Sequence, residues 1–211
     1  MDDELKNSIR KTGTTILGIV CKDGVVMAAD RRGTAGGIVM GKNEKKVFPI
    51  NDYLVMAGCG LALELQRVPK LISAELKLKE LRSRTRPSVK QAASLLSNVL
   101  TSRQQAGFLL GGFNEDGTVE LYSMDPVGHI TTVEDYDANF GSGMPYVLGL
   151  LERQYKKGIS IEEGVKLAIE SLKSSTQRDT ASGNGIDVLT ITKNGIKQVV
   201  SQEIQPNYKE E

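Results

Sequence analysis

Residues 14–30 read TTILGIVCKDGVVMAAD, two short runs of β-branched and apolar residues with Lys22-Asp23-Gly24 between them. An Asp-Gly pair joining two such runs predicts a tight β-hairpin, so the core of this chain opens on antiparallel strands. Upstream of it, MDDELKNSIRKTG contains acids and bases and no apolar run, which fails as a secretory signal or a membrane span and leads us to expect a cytoplasmic protein. Downstream, Ile38 to Met40, Val47 to Ile50 and Tyr53 to Cys59 read as further strands, the last apolar enough to be covered on both faces. Leu61, Leu65, Val68, Ile72, Leu76 and Leu78 then recur at helical spacing to about Arg82, interrupted only by Pro69. Pro87 is placed to open a second helix over SVKQAASLLSNVL, where its missing N–H costs nothing.

Strand signals return in GFLLGGF, TVELYSM and HITTVEDY, after which Met144 to Tyr155 reads as helix. Ser160-Ile161-Glu162-Glu163 is a capping box for a helix running to about Gln177. IDVLTIT and IKQVVSQ close the chain as a hairpin, with the polar PNYKEE as a frayed tail. The order is strands, two helices, strands, two helices, strands. It predicts an α+β fold, a four-layer αββα sandwich of two antiparallel sheets covered by helices, because a parallel α/β fold would alternate single strands with single helices.

The 211 residues are 39% hydrophobic and 25% charged, with 27 basic against 26 acidic side chains, so no global field draws nucleic acid or an acidic membrane. The one histidine, His129, excludes multi-histidine zinc sites. Cys21 and Cys59 both sit in apolar segments and read as reduced core residues. Chemistry without imidazole directs attention to Gly13-Thr14-Thr15, where the polar leader meets the first strand. A threonine hydroxyl becomes a useful nucleophile when it is the first residue and its own α-amine serves as base; the plain alternative is a threonine beginning a strand. Asp30 ends the second strand and Lys46 precedes a later one, either as a functional pair or as solvated turn charges. Gly58-Cys59-Gly60 offers backbone N–H groups to an oxyanion, or is a strand-to-helix turn. Gly141-Ser142-Gly143 and Asp179-Thr180-Ala181-Ser182-Gly183 are polar junctions that would serve equally as caps.

Taken in order and spacing, TGTTILGI, KDGVVMAADRRGT, MGKNEKKVF, AGCG, FGSGMPYVLG with LLE, and QRDTASG followed by IDVLTIT resemble an archaeal-type proteasome β subunit of the N-terminal-nucleophile hydrolase superfamily. The resemblance implies a propeptide over residues 1–13, cleaved between Gly13 and Thr14, and a catalytic domain over 14–211. It implies Thr14 as nucleophile, Asp30 and Lys46 as its supporting pair and Gly60 as oxyanion donor. Ser142, Asp179 and Ser182 would form the network around the threonine amine. Gly33, Thr34, Glu44, Phe48, Gly58, Ala62 and Gln66 would surround the side chain that precedes the cut bond; Phe48 and Ala62 suit an apolar group there and Glu44 a basic one. TSRQQAGFLL departs from the family by being short and lacking tyrosines.

The implied activity is threonine-type endopeptidase, without metal or organic cofactor. The implied partners are other β subunits in a heptameric ring, proteasome α subunits, an ATP-dependent unfolding complex and unfolded polypeptide substrate, with no nucleic acid and no membrane. Two other readings stand beside it: a simpler bacterial peptidase of the same superfamily, which the length and the GSG and QRDTASG stretches disfavour, and a silent ring subunit that never processes its leader.

Overall fold

The computed structural model describes residues 13–100 and 105–204. The leader through Thr12, the TSRQ portion of the short passage and the PNYKEE tail lie outside the described residues. In chain order the strands of the first half are β1 (Ile16–Cys21), β2 (Gly24–Asp30), β3 (Gly33–Ala35), β4 (Ile38–Gly41), β5 (Val47–Asn51) and β6 (Leu54–Gly60). Helices α1 (Ala62–Ser83) and α2 (Val89–Leu100) follow, then β7 (Ala106–Phe113), β8 (Val119–Met124), β9 (Ile130–Val133) and β10 (Tyr136–Asp137). Helices α3 (Met144–Gln154) and α4 (Ile161–Arg178) precede the closing pair β11 (Gly185–Thr192) and β12 (Gly195–Glu203).

Two five-stranded antiparallel sheets result, one ordered β10-β1-β2-β11-β12 and the other β5-β6-β7-β8-β9, with β3-β4 as a separate pair. Period-two patterning decides what lies on each face. In β2, Val25, Met27 and Ala29 pack between the sheets with Val55, Ala57 and Leu109, while Val26 and Ala28 turn outward to Val147, Leu151, Leu167 and Leu172 of α3 and α4. On the other sheet Leu54, Met56, Phe108 and Leu110 turn outward to Val68, Ile72, Leu76, Ala92 and Leu96 of α1 and α2. Each sheet thus buries both faces, which is why β6 and β7 read as nearly unbroken apolar runs. The αββα sandwich expected from the element order is the observed fold.

Local details differ from the sequence reading. Pro87 does not occupy the first turn of α2; the Gln91 N–H donates to Ser88 Oγ at 3.2 Å and the Ser88 N–H to Gln91 Oε1 at 3.2 Å, a capping box one residue after the proline. The α1 helix runs through Pro69, which is buried. HITTVEDY is not one strand: Val133 pairs with Leu121 in the second sheet, whereas Tyr136 pairs with Ile19 in the first. The chain changes sheets at Glu134-Asp135. The β3 strand was not anticipated, and the Ile38–Met40 run of β4 is exposed.

Pairing within the first sheet also buries an ion pair. Arg31, 6% exposed, donates from Nε to Asp187 Oδ2 at 3.0 Å and from Nη2 to Asp187 Oδ1 at 2.5 Å, and also to Ser201 Oγ at 2.7 Å. Hydrogen bonding to Asp187 raises the Arg31 guanidinium further above its ordinary range. This pair ties the end of β2 to β11 and β12. Removing one partner strands the other charge away from water, so Asp187→Ala is expected to cost about 3 kcal/mol of unfolding free energy in chemical denaturation. An unchanged midpoint would show that Glu203, with its oxygen 3.6 Å from Arg31 Nη1, suffices as counter-ion.

Candidate active site

The hairpin register places Thr15 beside the last residue of β2: the Asp30 N–H donates to the Thr15 carbonyl at 3.1 Å. In the other sheet the Gly58 N–H donates to the Lys46 carbonyl at 2.9 Å, which sets Lys46 at the mouth of the β5–β6 pair. The two sheets stack so that these ends coincide. Lys46 Nζ reaches Asp30 Oδ1 at 2.6 Å and donates a second bond to the Arg32 carbonyl at 2.7 Å. Thr14 Oγ1 donates to the same Asp30 Oδ1 at 3.0 Å.

Asp30 is wholly buried, so every acceptor site on its carboxylate has to be met inside the protein. The Thr15 N–H donates to Oδ1 at 2.8 Å, and the Arg32 and Gly183 N–H groups donate to Oδ2, each at 2.9 Å. With the Thr14 hydroxyl and the Lys46 ammonium, that makes five donors around a group that only accepts when ionised. Sequence reading found the hydroxyl and the ammonium and missed the three backbone donors, which carry no side-chain signature. The one visible hint is Gly183, whose φ of 152° lies where side chains are strained.

The later junctions meet this cluster from the helical side. The Thr14 N–H donates to Ser142 Oγ at 3.2 Å, Ser142 Oγ donates to Asp179 Oδ2 at 2.6 Å, and Ser182 Oγ donates to the same oxygen at 2.5 Å. Thr15, to which sequence reading gave no role of its own, links in through its hydroxyl, 2.7 Å from Ser182 Oγ. Thr14 and Ser142 lie 128 positions apart; Asp179 caps the C-terminal end of α4, directly after Arg178.

A cavity of about 490 Å³ opens beside Thr14, with mostly apolar walls. Gly13, Thr14, Gly33, Thr34, Glu44, Lys46, Phe48, Gly60, Ala62 and Gln66 line it, as do Met40, Leu61 and Leu65, which sequence reading placed in a strand and a helix and not at the site. Gly58 is not in the lining; it is buried behind it. Gly60 has φ 136°, and a Cβ there would lie 2.2 Å from the Gln105 carbonyl oxygen, so only glycine fits at this end of β6. The Gly13 N–H donates to Thr34 Oγ1 at 3.0 Å, fixing the segment that enters Thr14.

Cys59 adjoins the cluster without joining it. Burial pushes its thiol up to about 11, partly offset by Lys46, and burial pushes Cys21 up to about 12. The thiolate is the reactive form, and a raised pKa means that it accumulates only as pH approaches these values, so at pH 8 both cysteines are overwhelmingly thiols. Iodoacetamide at pH 8 is therefore expected to leave both cysteines unmodified by mass spectrometry, and rapid labelling of either would contradict this environment.

A family model described as proteasome subunit matches residues 10–191. Proteasome subunit beta 1 of Thermococcus kodakarensis is 42% identical over 197 residues, which cover 92% of this chain and 95% of that protein. Proteasome subunit beta of Nanoarchaeum equitans is 42% identical over 190 residues, 88% of this chain and 96% of that protein. Proteasome subunit beta 2 of Pyrococcus abyssi is 41% identical over 197 residues, 92% and 93% of the two chains. The match spans the Gly13-Thr14 junction, all four helices described above and the strands from β1 into β11, leaving β12 outside it, and on this ground the chain belongs to the proteasome subunit family.

Proposed function

We propose that this chain is a catalytic β subunit of a proteasome core particle, a threonine endopeptidase that cuts unfolded polypeptides with the Thr14 hydroxyl as nucleophile. The observation that carries the reading is one shared oxygen: Asp30 Oδ1 accepts from both Thr14 Oγ1 and Lys46 Nζ, at the wall of the cavity. Names of relatives at about 40% identity support assembly with other proteasome subunits. We extend this to a heptameric β ring enclosed by α rings, fed by an ATP-dependent unfolding complex in the cytoplasm.

With Gly13 attached, the Thr14 nitrogen is an amide and cannot act as a base. In the activating step Thr14 Oγ1 gives up its proton through a water and attacks the Gly13 carbonyl carbon, the C–N bond breaks as the acyl group passes to oxygen and the nitrogen takes up that proton, and water hydrolyses the ester. This releases the leader as a carboxylate and leaves a free α-amine. Such an amine has an ordinary pKa of about 7.7–8.0, and the Lys46 ammonium lowers it, favouring the neutral form. Ser142 already spends its hydroxyl proton on Asp179, so its oxygen accepts from the Thr14 nitrogen. The amine lone pair is then available to take the Thr14 hydroxyl proton, directly or through water. The hydroxyl oxygen attacks the substrate carbonyl, the Gly60 N–H stabilises the oxyanion, and water resolves the acyl-enzyme.

The intact mass of the chain co-expressed with proteasome α subunits tests this reading, with an N-terminus at Thr14 expected and retention of Met1 in assembled particles overturning it. Gly13→Val sharpens the test. A Cβ at Gly13 would lie 2.1 Å from Ala181 Cβ and 2.5 Å from Ser142 Oγ, so a side chain displaces the carbonyl that Thr14 has to attack. Leader removal in this variant is expected to slow by at least about a hundredfold.

A further inference from the structure

We propose that Arg31 is a positioning residue for the reacting groups: its side chain anchors the end of β2 so that Lys46 stays on Asp30, although Arg31 itself does not line the cavity. The inference rests on the peptidase reading above. Arg31 sits between two residues that serve the site, Asp30 through its carboxylate and Arg32 through the carbonyl that accepts from Lys46 Nζ. Its own side chain goes elsewhere. Asp187, which holds the guanidinium by two bonds, is fixed in turn by Gln198 Nε2 at 2.9 Å, and Asp187 and Ser201 together tie Arg31 to β11 and β12. A Cβ on Gly185 would lie 3.0 Å from Arg31 Cδ, so the arginine stem runs close over that glycine.

What the side chain anchors, the backbone passes on. The Arg31 N–H donates to the carbonyls of Gly183 and Gly185 at 3.2 and 3.1 Å, and Gly183 is the residue whose N–H donates to Asp30 Oδ2. The Arg31 carbonyl accepts from the Glu44 N–H at 2.9 Å, two positions before Lys46. Asn43 repeats the link by donating to Glu203, the second carboxylate beside Arg31. One residue thus joins the turn that serves Asp30 to the segment that delivers Lys46. When the anchor is lost, the Lys46 ammonium moves with that segment and its influence on the Thr14 amine weakens. The charged groups gathered around Thr14 are Asp30, Lys46 and, through Ser142, Asp179, with Arg32, Glu44 and Lys45 on the cavity wall.

The test measures kcat and KM for a fluorogenic peptide from about pH 6 to about pH 10 on assembled particles, with turnover normalised to the processed fraction found by intact mass. It compares the parent with Arg31→Met, Arg31→Lys and the pair Arg31→Met with Asp187→Leu. The amine is a base only when neutral, so a weaker ammonium field raises its pKa and moves the acid limb of kcat/KM to higher pH. Arg31→Met is expected to lose about tenfold or more in kcat near pH 7, to keep KM within about twofold, and to regain much of the loss near pH 9. Arg31→Lys keeps the charge without the planar fork and should fall between the parent and Arg31→Met. The pair leaves neither buried charge without its partner, so its denaturation midpoint should return toward the parent while its acid limb stays displaced. Should Arg31→Met fail to assemble, the pair and Arg31→Lys carry the comparison. A role in stability alone predicts a parent-like pH profile wherever the midpoint is restored. That result, or a loss of equal size at every pH, overturns the inference alone; a processed parent that cleaves no peptide overturns the peptidase reading and this inference with it.

Discussion

Thr14→Ala is expected to retain the MDDELKNSIRKTG leader in assembled particles and to hydrolyse fluorogenic peptides at background rate. Both losses have one origin. In the proposed function the Thr14 hydroxyl, held at 3.0 Å from Asp30 Oδ1, is the atom that attacks the Gly13 carbonyl in processing and the substrate carbonyl in turnover. Alanine lacks the oxygen for either step, and the amide at residue 14 never becomes an amine. The substitution removes one of five donors from a carboxylate that keeps the other four, so the fold should persist, as circular dichroism and particle size would verify. Thr14→Ser keeps the hydroxyl and loses only the methyl. It is expected to process its leader and retain measurable turnover, because the oxygen can still meet Asp30. The proposed activity would be falsified if Thr14→Ala particles hydrolysed peptides at a rate close to that of the unmodified protein.

Removing the charge partner should be almost as damaging. Lys46 Nζ is buried, donates to the Asp30 carboxylate and the Arg32 carbonyl, and pairs with Asp30 at 2.6 Å. Lys46→Ala leaves Asp30 without its counter-ion and, in the proposed function, takes away the field that favours a neutral Thr14 amine. Peptide hydrolysis is expected to fall by about three orders of magnitude or more, the scale seen when one member of a cooperating nucleophile–base set is lost. Asp30→Asn reaches the same end by another route. An amide has to present its NH2 where the carboxylate presented an acceptor, and it then opposes one of the donors from Thr15, Arg32, Gly183 or Lys46. Its turnover should fall sharply, with a loss in denaturation midpoint that separates it from Thr14→Ala. Near-normal activity in either variant, measured on protein with its leader removed, would mean that the pair does not support the nucleophile.

Much of the architecture was legible because the interactions behind it are local. The Asp23-Gly24 turn, the Ser160 capping box and the alternation in β2 each depend on residues within a few positions of one another, and helical spacing along α1 and α2 shows which faces require cover. Thr14, Asp30 and Lys46 stood at element edges, where local pattern left each open between a site role and a plain strand start or turn charge; it was the resemblance in order and spacing of the motifs that singled them out. HITTVEDY misled because its residues favour strand throughout, and only the competition of two sheet edges separates Val133 from Tyr136.

What the sequence determined alone was therefore the order and patterning of the elements, the four layers they require, and the chemical types available at their ends. What tertiary structure decided was which of those ends meet. Gly183 supplies an N–H to Asp30 across 153 positions, Arg31 finds Asp187 across 156, and Leu65 takes the space left by Gly58. None of these contacts has a local signal, because backbone donors look alike in sequence and a vacancy beside a glycine is defined by whatever packs against it. The stacking of two sheets, driven by the apolar faces between them, brings their ends to one place, and the donors there are selected by position in space, not by residue type.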